Sequence, residues 1–468
     1  MALAQPRHAG SDAPLDIAVS SAGLVGAVIR PGDADYEMAR QVHSTLVDRR
    51  PALIVRAANP ADVARTVSLA RAHGLELAVR GGSHSLAGHG TTEGGVVLDL
   101  SGMKGLHIDA EQRLAWAQPG LTAGEYTVAA AAHGLATPFG DTTTVGIGGL
   151  ALGGGIGWLV RKHGLTIDAL EAVDVVTADG RLITASAAEH ADLFWAIRGG
   201  GGNFGVVTRF RFRLFPVDTI LGGALVLPAT RHVLRSLLPV AAGAPEELST
   251  IAVLTPAPSA PFVPRELQGV PSVVVLFVYA GEPDAGRAAI APFQQIAEPL
   301  AELVAPMPYP SIYEFTRAGE GRGASSSRAI FLESLDDDTV DTMLAIGASP
   351  SLPGAMTQIR VLGGAMARIP AAETAFAHRG APVLVNIISP FQDPGEAPVH
   401  EAWAARYLEA LRPAGSGAYS AFLGVEGEAR VREAYPDATY RRLAEVKRRY
   451  DPSNLFHLNQ NIRPAPDA

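Results

Sequence analysis

Glycine is concentrated in one part of this chain. Four glycine-rich segments lie between residues 80 and 205: "RGGSHSLAGHG" (80–90), Gly94-Gly95, "GDTTTVGIGGLALGGGIG" (140–157) and "RGGGGNFG" (198–205). Glycine reaches positive φ and lets two backbones, or a backbone and a ligand, approach closely. Successive N–H groups in such loops form concave nests for anions. Tight turns account for any one cluster. All of them within one domain point to a large, phosphate-bearing ligand held by backbone amides. A dinucleotide fingerprint is the competing reading. Gly153, Gly155 and Gly157 fall one residue short of its final spacing, and Asp174 lies about 20 residues on, where a ribose-binding acid belongs. But "GIGGLAL" before them reads as a weak strand, and no strand–turn–helix unit opens there. The match is set aside.

Around these loops the pattern from about residue 50 to 217 is α/β. "ALIVRA" (52–57) and "LELAVR" (75–80) read as strands. Between them "NPADVARTVSLARAHG" (59–74) reads as a helix, capped by Asn59, with Pro60 in its first turn and Gly74 as its stop. "GVVLDLS" and "RLAWAQPG" are further strands, and "TAGEYTVAAAAHG" (122–134) is a helix. "LEAVDVVTADGRLITAS" (170–186) reads as a hairpin with Asp179-Gly180 as a two-residue turn. "GVVTRFRFRLFPV" (205–217) alternates apolar and basic residues, as a half-buried antiparallel strand does, and Pro216 ends it. After Pro216 the texture changes. Residues 218–418 read as a second domain, with buried strands at 272–281 and 381–389 and a helix over His400–Leu411. Its loops are the Pro-rich stretch 256–271 and the flexible, polar "GEGRGASSSR" (319–328). A helix over 440–452 precedes the terminal "SNLFHLNQNI".

With 468 residues the chain is long enough for two domains. Its net charge of −9 suggests neither a nucleic-acid nor an anionic-membrane partner. Of the basic residues only Lys104, Lys162 and Lys447 are lysines, an imbalance that suits a GC-rich genome. There is no cysteine. Disulfides, thiolate metal ligands, a cysteine nucleophile and a thioether to a cofactor are thereby excluded. Asp12 and Asp16 interrupt the stretch where a signal peptide needs an apolar core, and Ile17–Ile29 is too short to span a bilayer. A cytoplasmic location is the expectation. His84 and His89 stand five apart in a glycine loop without a nearby carboxylate, which is not metal-ligand spacing. Taken alone, His84 reads as a hydrogen-bonded loop histidine.

In order, "RRPALIVRAANPADV", "VRGGSHSLAGHG", "TTTVGIGGLALGGGIGWLVRKHGLTIDAL", "ADLFWAIRGGGGNFGVVTRF" and "RRYDPSNLFHLNQNI" resemble the FAD-linked oxidases of the berberine bridge enzyme-like group, within the vanillyl alcohol oxidase/p-cresol methylhydroxylase superfamily. The resemblance runs from about residue 28 to 462 and is strongest over 50–215 and 435–462. It implies an α+β fold: a PCMH-type FAD-binding domain of two α/β subdomains, formed by 1–217 with 419–468, and a substrate domain over 218–418 whose antiparallel sheet is covered by helices.

The resemblance also assigns roles. His84 would carry the flavin through its 8α-methyl group, and Gly81, Gly82, Ser83 and Ser85 would surround the pyrophosphate with backbone amides, with Arg80 a further cofactor-binding residue and His89 a supporting loop residue. Many relatives hold the flavin by a second link, to a cysteine in a Cys-x-x-Val-Gly run. Here Thr142 stands at that place, so the chain resembles the singly linked members. Gly140 falls near the flavin's reactive carbon and would leave room for O2. Asp141, Thr144, Gly146, Gly149, Gly154 and Gly157 belong to the same cradle. Asn203, Gly205 and Val207 would meet the adenosine side, and Asn459 and Asn461 the isoalloxazine, with helix-end capping the competing reading for the asparagines.

The implied reaction is hydride transfer from an alcohol, amine or phenolic small molecule to the flavin, with O2 as the final acceptor and a base taking a proton. Relatives place an Asn-Tyr pair on the strand returning to the flavin domain; here Ala421 and Phe422 stand there. Tyr419, three residues before Phe422, points to the opposite face if that strand alternates. His378, Tyr279, Tyr313 and Glu373 are the remaining candidates for the base, each with a packing or surface role in competition. Two other functions fit the same residues: a flavin-dependent cyclase without net redox, and a flavin-bearing protein without turnover.

Overall fold

A computed structural model of the chain describes residues 19, 22–317, 321–348 and 352–466. Asp12 and Asp16, on which the reading of the N-terminus rests, lie outside the described residues. No helix among the described residues is long and apolar enough to cross a membrane.

The first sheet holds β1 (Ala27–Ile29), β2 (Leu53–Arg56), β3 (Leu77–Arg80) and β4 (Val96–Asp99) in the order β1-β2-β4-β3. β2, β4 and β3 are parallel, and β1 pairs antiparallel with β2. The helix Pro60–Ala72 carries the chain from β2 to β3, on either side of β4, and the 81–95 loop makes the parallel return from β3 to β4. Asn59 accepts from the Asp62 amide at 3.0 Å, as its sequence position predicts. The fully buried Asp62 carboxylate in turn accepts from the amides of Val25, Gly26 and Ala58 at 2.9, 2.8 and 3.0 Å. Burial pushes this carboxyl up, but those donors outweigh it and hold it below the usual range. Val63, Val67 and Ala70 fill the helix–sheet interface with Val55, Leu77 and Leu98.

The second sheet is antiparallel: β5 (Leu106–Asp109), β6 (Leu114–Ala117), β8 (Leu170–Val176), β9 (Leu182–Ser186) and β10 (Val206–Arg213), in the order β5-β6-β10-β8-β9. A two-residue strand, β7 (Leu135–Ala136), pairs with β11 (Phe215–Pro216). The helix Ala123–Ala131 opens on a capping box between Thr122 and Glu125. The C-terminal helix Asp437–Tyr450 returns to this half of the molecule. Its Tyr440 and Leu443 share a core with Leu193, Phe204 and Phe210.

An eight-stranded antiparallel sheet spans residues 219–416. Its strands are β12 (Thr219–Pro228), β13 (Leu248–Pro256), β14 (Pro271–Tyr279), β15 (Ala301–Pro308), β16 (Ala324–Leu332), β17 (Met356–Val361), β18 (Val383–Phe391) and β19 (Gly415–Ser416). They run β15-β12-β14-β13-β17-β18-β16-β19. The helices Arg231–Gly243, Pro283–Gln294 and Ala397–Leu411 cover one face, burying Leu234, Phe293 and Tyr407 against it.

Four local expectations need correction. Ala324–Arg328 is strand, not flexible loop; its serines alternate along β16, and pairing with β18 overrides their weak strand preference. Ile147–Gly153 is a helix rather than a weak strand. The 170–186 hairpin closes on three residues, not two: the Thr177 amide bonds to the Arg181 carbonyl at 3.0 Å, and Gly180 takes φ +84°. Tyr419 is not on a strand. β19 stops at Ser416, and Ser420–Phe422 is a 3-10 turn. Tyr419 and Phe422 therefore share a side, with rings 4.9 Å apart.

Candidate cofactor and substrate site

The glycine segments 81–90, 140–153 and 200–205 converge on one cavity of about 1270 Å³, which continues to the uncovered face of the eight-stranded sheet. Pockets for one small ligand are typically about 300–1,000 Å³, so this one has room for a large cofactor and a substrate together.

The glycines are required by backbone approach. The loop after β3 and the loop before the helix Ile147–Gly153 touch main chain to main chain: a Cβ on Gly82 would lie 2.2 Å from the Gly146 amide nitrogen. Gly205 takes φ +154°, and a Cβ there would meet the Val175 side chain at 2.6 Å. At Gly149 a Cβ would meet nothing within 4 Å, so it would project into open space. Ser83 takes φ +60° without being glycine, the kind of strain that surrounding structure must hold.

His84 lies on the cavity wall with Gly81, Gly82, Ser83, Ser85 and His89. Its ring stacks on His43 with centroids 4.1 Å apart and planes inclined by 25°. Burial, then the Arg322 charge, lowers His43 below its ordinary pKa. His89 is pushed down to about 4, by burial and then by Arg49. Arg80 reaches the wall, but its guanidinium is bound to Asp99 at 2.9 Å and to the carbonyls of Ala39 and Gln41. It braces the loop from behind.

Gly140, Asp141, Thr142, Gly146 and Gly149 also line the cavity, as do Asn203, Gly205, Val207 and Asn459. Asn203 spends its side chain internally. Its amide donates to the carbonyls of Gly200 and Gln460 at 2.8 and 3.2 Å, and its oxygen accepts from the Ile462 amide at 2.9 Å. No side-chain atom of Asn203 is left for a ligand. Beside it Lys447, fully buried, donates to the Asn203 carbonyl (2.6 Å), the Asp451 carboxylate (2.6 Å) and the Phe456 carbonyl (2.8 Å). This ties the C-terminal segment to the 200–205 loop.

Thr144, Gly154, Gly157 and Asn461 are not on the wall. A Cβ on Gly157 would lie 1.8 Å from the Phe139 carbonyl oxygen, so that glycine serves packing. Gly154, at φ +130°, abuts Phe376. Thr144 Oγ1 and Asn461 Oδ1 are buried without a protein partner, as are the wall atoms His89 Nε2 and Asn459 Oδ1. Of these, His89 Nε2 and Asn459 Oδ1 are at the cavity, where a ligand can satisfy a buried polar atom. The close-approach glycines, these atoms and the cavity's size fit a dinucleotide-sized cofactor such as FAD.

Of the candidate bases, Tyr419 alone reaches the wall. Its hydroxyl accepts from the Gly155 amide at 2.9 Å, and burial pushes its pKa up to about 12. His378 is a correction: it is off the cavity, stacked on Phe331 at 4.7 Å, with Nε2 2.9 Å from the Glu433 carbonyl. Tyr279 packs in the core beneath the covering helices. Tyr313 donates to the Gly140 carbonyl at 3.1 Å. Glu373 is exposed on a 3-10 turn.

Several wall residues carry no motif. Arg360 on β17 pairs with Asp141 across the two halves of the molecule. Gln358, Asn386, His43 and Arg322 also line the cavity. Asn386 had a signal, a lone carboxamide within the apolar run "VLVNIIS". The others become neighbours only through the fold.

The comparisons agree with this geometry. The FAD binding domain family matches residues 51–186, and the "berberine and berberine like" family matches 418–463. The (R)-6-hydroxynicotine oxidase of Paenarthrobacter nicotinovorans is 32% identical over 464 residues, covering 94% of this chain and 97% of that protein. The crystal structure of 6-hydroxy-D-nicotine oxidase from Arthrobacter nicotinovorans superposes with a TM-score of 0.84 at 28% identity, covering 95% of this chain and 99% of that one. Xylooligosaccharide oxidase from Myceliophthora thermophila shares the fold, with a TM-score of 0.84 at 24% identity, covering 97% of this chain and 100% of that one. The chain therefore belongs to the berberine bridge enzyme-like family of FAD-linked oxidases and is an FAD-dependent oxidoreductase.

Proposed function

We propose that this protein is a covalent flavoprotein oxidase, with FAD attached through His84 alone, that oxidises a small organic molecule and passes the electrons to O2. The observation that carries the reading is His84 on the wall of a glycine-walled cavity, in a chain without cysteine. Bound FAD supplies the two-electron chemistry; the protein supplies binding and orientation.

The backbones of Gly81, Gly82, Gly146 and Gly149 form the cradle for the cofactor's phosphates, and those of Asn203 to Val207 its adenosine end. Asn459 contributes from the C-terminal return. Thr142 occupies the cavity wall where doubly linked relatives carry cysteine, and its hydroxyl cannot form that link. Tyr419, with its pKa at about 12, stays protonated at neutral pH and holds the Gly155 amide. Ala421 and Phe422 have no proton-accepting group. We therefore assign no protein base: as hydride leaves, the substrate hydroxyl becomes that of a protonated carbonyl, acidic enough to release its proton to solvent.

Anaerobic mixing with substrate tests this. The visible flavin absorbance must bleach, and readmitted oxygen must restore it with one hydrogen peroxide per product. A flavin that never bleaches with a substrate the protein converts would favour a cyclase.

A further inference from the structure

Two cross-strand rows on the cavity face of the large sheet change from aliphatic to polar between the same two adjacent strands. In one cross-strand row Ala224 on β12 opposes Leu276 on β14, Leu276 opposes Ile251 on β13, and Ile251 opposes Arg360 on β17. In the next, Val274 on β14 opposes Val253 on β13, Val253 opposes Gln358 on β17, and Gln358 opposes Asn386 on β18. All eight line the cavity. Each row is thus aliphatic as far as β13 and polar at β17, and the second stays polar at Asn386 on β18; in the first, Leu384 follows Arg360, and Met356 and Ile388 bound the polar group on its other side. The loop after β13 extends the aliphatic side with Pro258, Pro261 and Phe262.

The polar side has a definite hydrogen-bonding sense. The Gln358 side-chain oxygen accepts from Arg360 at 2.8 Å, and the Asn386 side-chain oxygen accepts from Ser327 at 2.9 Å. Both carboxamide oxygens are engaged, so both groups present their NH2 to the cavity. Asn386 is only 6% exposed, so a donor left unmet there is costly. Directly opposed residues on neighbouring strands have Cβ atoms about 4.5–5.5 Å apart, so one oxygen can reach both donors. The Arg360 charge is balanced by Asp141, and this side offers no spare charge to a ligand ion.

We propose that the substrate is a neutral, largely apolar alcohol lying across the strands, its body against the aliphatic residues of β12, β13 and β14 and its oxygen received by the amides of Gln358 and Asn386. A protonated amine would meet donors where it needs acceptors. An oligosaccharide would bury hydroxyls against Val253, Val274 and Leu276 with nothing to bond. One alcohol and one O2 give one carbonyl product and one hydrogen peroxide. The carbinol C–H bond breaks with both electrons, the hydroxyl proton is released, the carbonyl forms, and O2 takes two electrons and two protons. This rests on the oxidase reading above and adds the substrate class.

The test uses the purified yellow holoprotein and matched bicyclic ligands, followed by perturbation of the flavin spectrum and by peroxide release. 1-Tetralol and its ketone 1-tetralone are expected to bind at least roughly tenfold more tightly than 1-aminotetralin or xylobiose, with peroxide released from 1-tetralol. Asn386→Leu is expected to weaken 1-tetralone roughly tenfold while leaving the hydrocarbon tetralin unchanged; Gln358→Leu serves if that variant does not fold. Preference for the amine or the sugar, equal binding of all four, or no binding of any overturns the substrate class while leaving the flavoprotein reading intact. A protein without flavin would instead fail the reading beneath it.

Discussion

Gly82 and Gly146 lie back to back: a Cβ on Gly82 would sit 2.2 Å from the Gly146 amide nitrogen, and a Cβ on Gly146 2.3 Å from that of Gly82. Both atoms met are backbone, so no rotamer change relieves the contact. Gly82→Ala and Gly146→Ala must separate the His84 loop from the helix Ile147–Gly153. Overpacking of this kind costs about 1–3 kcal/mol or more. Each variant is expected to melt several degrees lower and to retain a small fraction of the wild-type flavin, read as absorbance near 450 nm per protein. Gly380→Ala, whose Cβ meets nothing and which lies off the cavity, is the control and keeps the wild-type melting temperature and flavin content.

Lys447 and Asp451 form a fully buried pair one helical turn apart, and four further backbone groups complete it. Burial lowers the Lys447 pKa, while Asp451 opposes the shift. Removing one member strands the other charge, which costs about 3–5 kcal/mol. Lys447→Met and Asp451→Asn should each lower the urea midpoint markedly. The double replacement should cost less than the sum of the two, a coupling that a double-mutant cycle measures.

Acid sensitivity follows from two histidines. Burial, then the Arg49 charge, brings His89 down to about 4; burial, then Lys162, does the same to His163, which stacks on Phe215 at 4.1 Å. Both are neutral in the folded protein. The unfolded chain, with histidine near 6.5, takes up protons first as pH falls. Their contribution is full above about pH 6.5 and lost progressively down to about pH 4, on the order of 2–3 kcal/mol each. His163→Phe should remove part of this dependence. Denaturation series at pH 7 and 4.5 check it: the wild type must lose more stability between them than the variant.

Tyr419→Phe separates a structural phenol from a catalytic one. The variant leaves the Gly155 amide unpaired and should lose about 1–3 kcal/mol of stability. With the phenol at about 12, the shape of the kcat–pH profile between pH 6 and 9 should not change. Loss of a limb from that profile would make Tyr419 the base.

Much of the glycine-walled side of the cavity was legible because its constraints are local. A glycine needed for close approach has no substitute, and the cap at Asn59 uses a residue whose side chain suits little else. The substrate side was not. Asp141 and Arg360 are brought together by the packing of two sheets, and His43 and His84 by the closing of one loop over another. Ser325–Ser327 read as loop because serine favours strands weakly, and only β18 beside them decides otherwise. Alternation failed at Tyr419 because β19 ends three residues before it.

The most direct test is to denature the purified protein in acid, collect the precipitate and digest it. The colour should stay with the pellet, and the flavin mass should fall on the peptide containing His84. In His84→Ala the colour should pass to the supernatant. Wild-type colour in the supernatant, or flavin on any other peptide, would contradict attachment through His84.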